Sequence, residues 1–564
     1  MIILGINDIA HHNTSAAVIK DGEVVAAIEE ERLSRVKLDN SYPHAAINEV
    51  LDIAGISAAQ IDQVALAGLD HAQQRPALDR LYQHIAELAK EDSDIRSFYR
   101  KQQLNRYTRQ LRKRPKLPEA FSAKPLTVVE HHQAHAASAY FSSPFKDEKV
   151  GVISMDGSGD FSWGSVWTGE NGRMQHVEHL HALNSLALLY SAFTIFLGFK
   201  ATRHEGKVLG LAAFGKPEPL YSRLMELANP DDWDHLLHAR LAKCTLRQHG
   251  DMAQKSIREL TEGLSKEDIA AGLQKFTEKL VCDKVESYAS ELGVRHLALA
   301  GGIFANVKLN QYILELPGID NIYIHPNMGD GGLAAGAALQ TYADLNPGDL
   351  PRFMNNIYLG SAITETNAEA ALKENGISYV RPDNMAKAAA ELLANGKVVA
   401  RACGGMEYGP RALGNRTVMA PCSDPDINDW LNKKFQRTEF MPFAPVILEE
   451  HCHDYFPDWK PEHKAARFMT LTYNATDLAK KNIPAAVHVD QTARPQVILR
   501  EDNADYYDIL HEYHALTGIA SVINTSFNMH EEPIVCTASD AIRAFLDAKL
   551  DALILGPFLI HLPE

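Results

Sequence analysis

Two histidines four residues apart raise the question of chemistry in this chain: His131 and His135, in Glu130-His131-His132-Gln133-Ala134-His135-Ala136-Ala137-Ser138-Ala139. On a helix their rings leave the same face one turn apart, which is half of a metal site. The strand-like run Val152-Ile153-Ser154-Met155 follows and ends in Asp156, a carboxylate able to act as a further ligand. The competing reading is a polar helix start in a chain carrying 25 histidines, and spacing alone does not choose between them. Two later segments have the pattern of phosphate cradles. His296 to Ala300 reads as a strand entering Gly301-Gly302-Ile303-Phe304-Ala305-Asn306, and Asn321 to His325 as a strand entering Asn327-Met328-Gly329-Asp330-Gly331-Gly332. A helical pattern follows each. In such units backbone N–H groups and a helix N-terminus face an anion, although glycine also simply makes tight turns.

The elements that must position these residues can be read from periodicity. Ile2 to Ile6 is a buried-strand pattern, followed by a polar turn to Asn13, a strand Ser15 to Lys20, a two-residue hairpin signal Asp21-Gly22 and a strand Glu23 to Ile28. The same order recurs as strand Gly151 to Met155, turn Asp156 to Asp160, strand Phe161 to Thr168, turn Asn171-Gly172 and strand Met174 to Val177. A repeated strand–turn–strand–hairpin–strand unit suggests an internal duplication. Duplicated ribonuclease-H-like lobes are the architecture of the actin-like ATPase superfamily. The expected fold class is therefore α/β.

Residues 73–114 read as helical, with nine Lys/Arg and no Asp or Glu between Arg96 and Lys116. That run is either a solvated face or an anion-binding lid. Residues 216–290 read as mostly helical. Leu345 to Pro351 has linker composition, and helix Ala386 to Asn395 with strand Lys397 to Ala402 opens a second α/β region.

At 564 residues two or three domains are expected. A net charge of −16 disfavours a general nucleic-acid binder. The six cysteines include no Cys-x-x-Cys pair, which argues for a reducing compartment. With no basic leader and no apolar run long enough to span a bilayer, a cytoplasmic protein is expected.

One ordered set of motifs runs along nearly the whole chain. It comprises Gly5-Ile6-Asn7 with His12 and Ser15-Ala16-Ala17, the His131–Ala139 segment, Gly206-Lys207-x-x-Gly210-Leu211-Ala212-Ala213 and Gly301-Gly302. It continues with Gly409-Pro410-Arg411-Ala412-Leu413-Gly414-Asn415-Arg416, Pro442-Phe443-Ala444-Pro445, Arg494-Pro495-Gln496 and Asn524-Thr525-Ser526-Phe527-Asn528. The set resembles the O-carbamoyltransferase family of the nodulation protein NodU, CmcH and TobZ. The resemblance implies a domain similar to the tRNA threonylcarbamoyl-transfer protein TsaD over 1–348, with a helical insertion at about 73–125, and a YrdC-like domain over 349–564.

The implied reaction uses ATP, with Mg, and carbamoyl phosphate. A carbamate released in the second domain becomes a carbamoyl adenylate in the first. Its carbamoyl group then passes to a hydroxyl acceptor, a sugar-containing molecule or glycan. The family metal ligands fall on His131, His135, Asp156 and Asp330, with iron the first expectation and manganese or zinc as alternatives. Lys37, Gly157, Lys207, Gly210, Gly301, Gly302 and Asn306 fall on the nucleotide, and His12 on the base that activates the acceptor.

The donor's phosphate dianion calls for planar arginine forks. The resemblance offers Arg411, Arg416, Lys434, Arg437 and Arg494, with Asn524 and Ser526. An arginine in a Gly-Pro-Arg loop can equally cap a helix or pair with a carboxylate. Met441 stands where many relatives carry arginine, and His530 where some do. Because both halves resemble the threonylcarbamoyladenosine pathway, a tRNA-modifying enzyme is the alternative, which the net charge disfavours. The oligomeric state stays open, a homodimer being one arrangement.

Overall fold

The computed structural model describes residues 1–564 except 9–11, 70–72, 107–116, 146, 247, 437–440 and 563–564, and only the backbone of 102–106. Strands β1 (Ile2–Asn7), β2 (Ser15–Lys20) and β3 (Glu23–Glu29) are covered on both faces, with Ile3, Leu4, Ile6 and Ala16 to Ile19 fully buried. Asp21 and Gly22 join β2 to β3 with φ of 49° and 78°, the double left-handed turn that matches strand twist. With β4 (Gln63–Ala67) and β5 (Leu126–Val129) the sheet order is β3-β2-β1-β4-β5.

The next five strands are β6 (Val150–Gly159), β7 (Ser162–Glu170), β8 (Arg173–His181), β9 (His296–Ala300) and β10 (Asn321–Ile324). They run β10-β9-β6-β7-β8, which from the other edge is the first order one repeat later. Asn171 and Gly172 repeat the hairpin turn with φ of 51° and 72°. The expected α/β class and the doubled sheet are both observed.

Among the strands of this sheet, the largest differences from the sequence reading are in β6 and β8. β6 continues through Asp156 to Gly159, with its pairing slipping between Met155 and Gly159, so the reversal falls on Asp160 and Phe161 at φ of 46° and 67°. β8 extends to His181 because it is an exposed edge strand whose His, Gln and Glu side chains hide any alternation of apolar residues.

Between β4 and β5 lie helices α1 (Arg75–Glu91) and α2 (Ser93–Arg106). Ile85, Ala89 and Ile95 bury their side chains against Leu183, which holds this hairpin down. The described part of the basic run ends at Arg106, and Arg109 and Arg112 lie outside the described residues. Four more helices position the site: α3 (His131–Ser142), α4 (Glu205–Ala212), α5 (Lys266–Leu292) and α6 (Leu333–Leu345). α3 and α6 meet backbone to backbone at Gly336, where any Cβ would overlap the Ala134 carbonyl.

A third, seven-stranded sheet contains β11 (Val399–Ala402), β12 (Arg416–Pro421), β13 (Ala444–Leu448), β14 (Gln496–Ile498), β15 (Ser521–Ser526), β16 (Ala552–Leu555) and β17 (Phe558–His561). Its order is β14-β13-β15-β12-β11-β16-β17.

By contacts the chain divides into two compact units, one of residues 1–6, 10–62 and 352–564, the other of 7–9 and 63–351. Within the first, Ala27 N donates to Leu359 O at 3.1 Å and Arg35 donates to the carbonyls of Pro533 and Ile534 at 2.8 and 2.7 Å. Among the described residues no helix is long and apolar enough to cross a membrane.

Candidate active site

The second unit carries a buried knot of two imidazoles and two carboxylates. Glu130 caps α3 by accepting from Gln133 N at 2.7 Å. Asp160 also anchors the start of α3: one oxygen accepts from His131 N at 2.8 Å and Leu69 N at 2.9 Å, the other from Gln74 Nε2 at 2.9 Å. One turn of helix then brings the His131 and His135 rings edge to face, with centroids 4.8 Å apart. Asp156 comes from β6; Gly302 N donates to its Oδ1 at 3.0 Å, turning Oδ2 toward the rings. Asp330 precedes α6, and Asn7 Nδ2 fixes its carbonyl at 2.9 Å.

His131 Nε2 lies 3.6 Å from Asp156 Oδ2 and 3.7 Å from Asp330 Oδ1, and His135 Nε2 lies 3.4 and 3.5 Å from the same oxygens. All four donor atoms fall within 4.8 Å of one another, and among the described residues this is the one such group.

These separations exceed an ordinary hydrogen bond. Adjacent donors held at about 2.1 Å from a shared cation would lie about 3–3.4 Å apart. His131 Nε2, His135 Nε2 and Asp330 Oδ1 are buried without a hydrogen-bond partner, which is costly unless something is bound between them. The residues fit a divalent cation with mixed N/O ligation. Burial opposes charge on His131, but the adjacent Asp156 and Asp330 outweigh it and raise its pKa to about 9. Burial likewise opposes charge on Asp156, yet the two imidazoles hold it well below the usual carboxylate range. His132 belongs to the framework: its ring contacts Ser162 O at 3.1 Å and Ser154 Oγ at 3.3 Å, and burial with the neighbouring His131 pushes its pKa well down.

The glycine loops border this knot. Gly157 follows Asp156 and its carbonyl accepts from Ser185 Oγ at 2.8 Å. Gly301, at φ 102°, must lack a side chain because a Cβ would overlap the Met155 carbonyl. Asn306 caps the helix Val307–Leu314 and exchanges hydrogen bonds with Gln274 of α5 at 3.0 and 3.2 Å. Lys207 and Gly210 lie on α4, and Lys207 is buried.

The first unit holds the remaining candidates. His12 Nδ1 is 2.9 Å from Asn13 Oδ1, and Asn13 donates to Glu29 at 2.8 Å. Glu29 lies 3.7 Å from Arg32, which pairs with Glu31 at 2.6 Å and donates to Gly409 O at 3.0 Å. Lys37 pairs with Glu31 at 3.5 Å, and burial lowers its pKa.

The loop 409–416 is wound on a buried carboxylate. Glu407 Oε1 accepts from Leu413 N, Asn415 N and Arg416 N at 2.8, 2.7 and 3.0 Å. Asn524, on β15, donates to Ala412 O at 3.0 Å and Gln496 Oε1 at 2.6 Å and accepts from the Thr417 hydroxyl. Arg411, Arg494 and Ser526 are each partly exposed. Arg416 is placed differently from the anion ligand the motif suggested. It is fully buried, and its two terminal nitrogens donate to the carbonyls of Cys403, Asn415, Ser361, Gly404 and Cys536 at 2.8–3.3 Å, so it holds the framework. Lys434 donates to Lys549 O at 3.2 Å and sits over the Trp430 ring. Arg437 lies outside the described residues.

A family model for the carbamoyltransferase N-terminus matches residues 2–339, and one for the carbamoyltransferase C-terminus matches 390–561. The chain belongs to the carbamoyltransferase family. An uncharacterized protein of Synechocystis sp. is 33% identical to this transferase, covering 99% of this chain and 96% of its own. The nodulation protein NolNO of Sinorhizobium fredii is 30% identical over 97% of this chain and 79% of its own. Nodulation protein U of the same organism is 28% identical, with 71% and 72% covered.

Several residues of this carbamoyltransferase that matter to the site carried no sequence signal. Asp160 stood in the quoted turn, but only its contact with His131 N distinguishes it from a turn former. Glu407 is a lone acidic residue two positions before Gly409, and nothing in its spacing announces three backbone partners.

Proposed function

We propose that this carbamoyltransferase is an ATP-dependent O-carbamoyltransferase whose 349–564 region accepts carbamoyl phosphate and whose 1–348 region, the TsaD-like part, activates and transfers the carbamoyl group. The observation that carries the reading is the convergence of His131, His135, Asp156 and Asp330 in a family that transfers carbamoyl groups.

Arg411 and Arg494, with Ser526, clamp the phosphate of carbamoyl phosphate while water breaks its P–O bond to leave phosphate and carbamate. A carbamate oxygen then attacks the α-phosphorus of ATP, supplied with Mg, and pyrophosphate leaves, giving carbamoyl adenylate. Lys207 and the backbone of Gly157, Gly210, Gly301 and Gly302 orient the phosphates. The acceptor hydroxyl adds to the carbamoyl carbon, its proton passes to His12 Nε2, and AMP leaves with the C–O electron pair. Asn13 and Glu29 orient His12 through Nδ1.

The residues that would hold a divalent ion are the four donors, with iron the first assignment and manganese or zinc the alternatives. When bound it supplies Lewis-acid neutralisation of charge on phosphate oxygens. The acceptor is proposed to be a sugar-bearing molecule and the setting the cytoplasm.

The test is release of AMP and pyrophosphate from ATP that requires carbamoyl phosphate. Turnover that instead requires bicarbonate and threonine would replace this reading with the tRNA-modifying one.

A further inference from the structure

A cleft of about 550 Å³ lies in the second unit between α1, the start of β7, the end of β8 and the turn at Trp233–His235. Neither the metal-ligand knot nor the glycine loops use it. α1 explains how it forms. Leu81, Ile85 and Leu88 face the apolar cluster with Leu183, while Arg80, Gln83, His84 and Glu87 share the adjoining face and line the cleft.

His84 forms part of its wall with 6% exposure, and its Nε2 has no hydrogen-bond partner among the described residues; His181 Nδ1 is in the same condition. The His84 ring lies 5.2 Å from that of His181 and 4.9 Å from that of His235. Arg80 and Gln83 are exposed and make no hydrogen bond or ion pair with described residues. Phe161 lines the same wall, held there by two successive left-handed residues, Asp160 and Phe161, a strained arrangement that persists where surroundings enforce it.

We propose that this cleft binds a polyhydroxylated, sugar-type ligand without anionic groups, and that it is the acceptor subsite of the transferase. The second half of the statement rests on the reaction proposed above. A wall that mixes donors (Arg80, Gln83), acceptors (Glu87, Asp234) and imidazoles that do both, beside one aromatic face, suits hydroxyl groups of alternating polarity. An anion would meet Arg80 and His235 against Glu87 and Asp234. Hydrogen bonding to Asp232 raises the pKa of His235, but that ring is already paired with Asp232 at 3.0 Å and Glu87 at 3.5 Å. Burial keeps His84 and His179 neutral, each with a pKa of about 4. A metal ion would need convergent donor atoms, and among the described residues only the His131 group converges. The cleft also adjoins the chemistry. Ser162, on its wall, pairs with Gly159 in the sheet and accepts from His132, and a Cβ on Gly159 would overlap the His131 ring.

The experiment is saturation-transfer NMR with maltotriose, cellotriose and N,N′-diacetylchitobiose on the full chain, Gln83→Ala and Glu87→Gln. Both substitutions are on exposed positions, and thermal melting checks that each variant folds. At least one oligosaccharide should bind, with affinity falling about tenfold in each variant, the loss of one ligand hydrogen bond. Binding of none of the three, wild-type affinity in both variants, or stronger binding of glucose 6-phosphate overturns the proposal. So does calorimetric Zn²⁺ binding that His84→Ala abolishes in the absence of sugar binding. Adding the sugar that binds should raise AMP release by the wild-type enzyme. Unchanged release overturns the acceptor assignment, whereas no AMP release under any condition overturns the transfer reaction and leaves the sugar site standing.

Discussion

Replacing Glu407 should separate the two halves of the reaction. Its one carboxylate oxygen holds three backbone N–H groups of the loop that carries Arg411, and the side chain is only 4% exposed. Glu407→Ala leaves three buried donors without an acceptor, each costing about 1–3 kcal/mol before relaxation. Water entering the vacated space returns part of that, so about 3 kcal/mol is a conservative net distortion of the loop. If the loop must be restored on binding, the KM for carbamoyl phosphate rises by about two orders of magnitude. Glu407→Gln keeps an acceptor oxygen and loses only the charge-assisted part, so about tenfold is expected. The assay is steady-state AMP release with each substrate varied in turn. The KM for ATP should stay within about twofold, because the residues assigned to the nucleotide other than Lys37 lie in the other compact unit. An unchanged KM for carbamoyl phosphate in both variants would refute the reasoning. Equal losses toward both substrates would mean that the damage is general rather than local to the loop.

Arg416→Ala should destabilise the protein by about 3–5 kcal/mol, read as a fall in melting temperature or loss of soluble protein, since five carbonyls lose their donors; a stable variant with only a raised carbamoyl phosphate KM would restore it as an anion ligand. Gly336→Ala should be worse tolerated than an exposed Gly→Ala change, because its methyl meets the Ala134 carbonyl; wild-type melting would contradict the packing of α3 on α6. His135→Ala should strip bound metal as measured by inductively coupled plasma mass spectrometry, and full metal retention would sink the ligand assignment.

His84 has its pKa lowered from 6.5 to about 4, chiefly by burial and then by His181 and His235. The folded state therefore binds fewer protons than the unfolded one between those values, and stability is lost as pH falls from about 6.5 to about 4. Discounted for its partial solvent access, about 1–2 kcal/mol should vanish in that window. His84→Gln should lose less in urea melts at pH 4.5 against pH 7, and an identical pH dependence would refute the assignment.

The fold was legible where local chemistry is obligatory. Asp21-Gly22 and Asn171-Gly172 can form tight hairpins in few other ways, and both appear with the expected left-handed φ values. The four metal-ligand candidates also come together, because a helix turn pairs His131 with His135 whatever the tertiary context, Asp156 lies where the pairing of β6 slips, and Asp330 lies in the loop after β10. Less legible was anything set by distant partners. Arg411 and Arg416 stand in one motif and look equivalent in sequence, yet Arg416 is turned inward by carbonyls from Ser361 to Cys536. The end of β6 was obscured by Gly157 and Gly159, which read as a turn but sit in an irregular strand whose backbone must pass the His131 ring. The grouping of residues 10–62 with 352–564 likewise rests on contacts such as Arg35 with Pro533 and Ile534, which no sequence window contains.

The most direct test of the account is exchange of radiolabelled pyrophosphate into ATP by the iron-loaded full chain. Exchange that depends on added carbamoyl phosphate, and needs neither bicarbonate nor threonine, is the predicted result. Absence of exchange in protein that holds its metal, or exchange that proceeds without carbamoyl phosphate, would contradict the adenylation step.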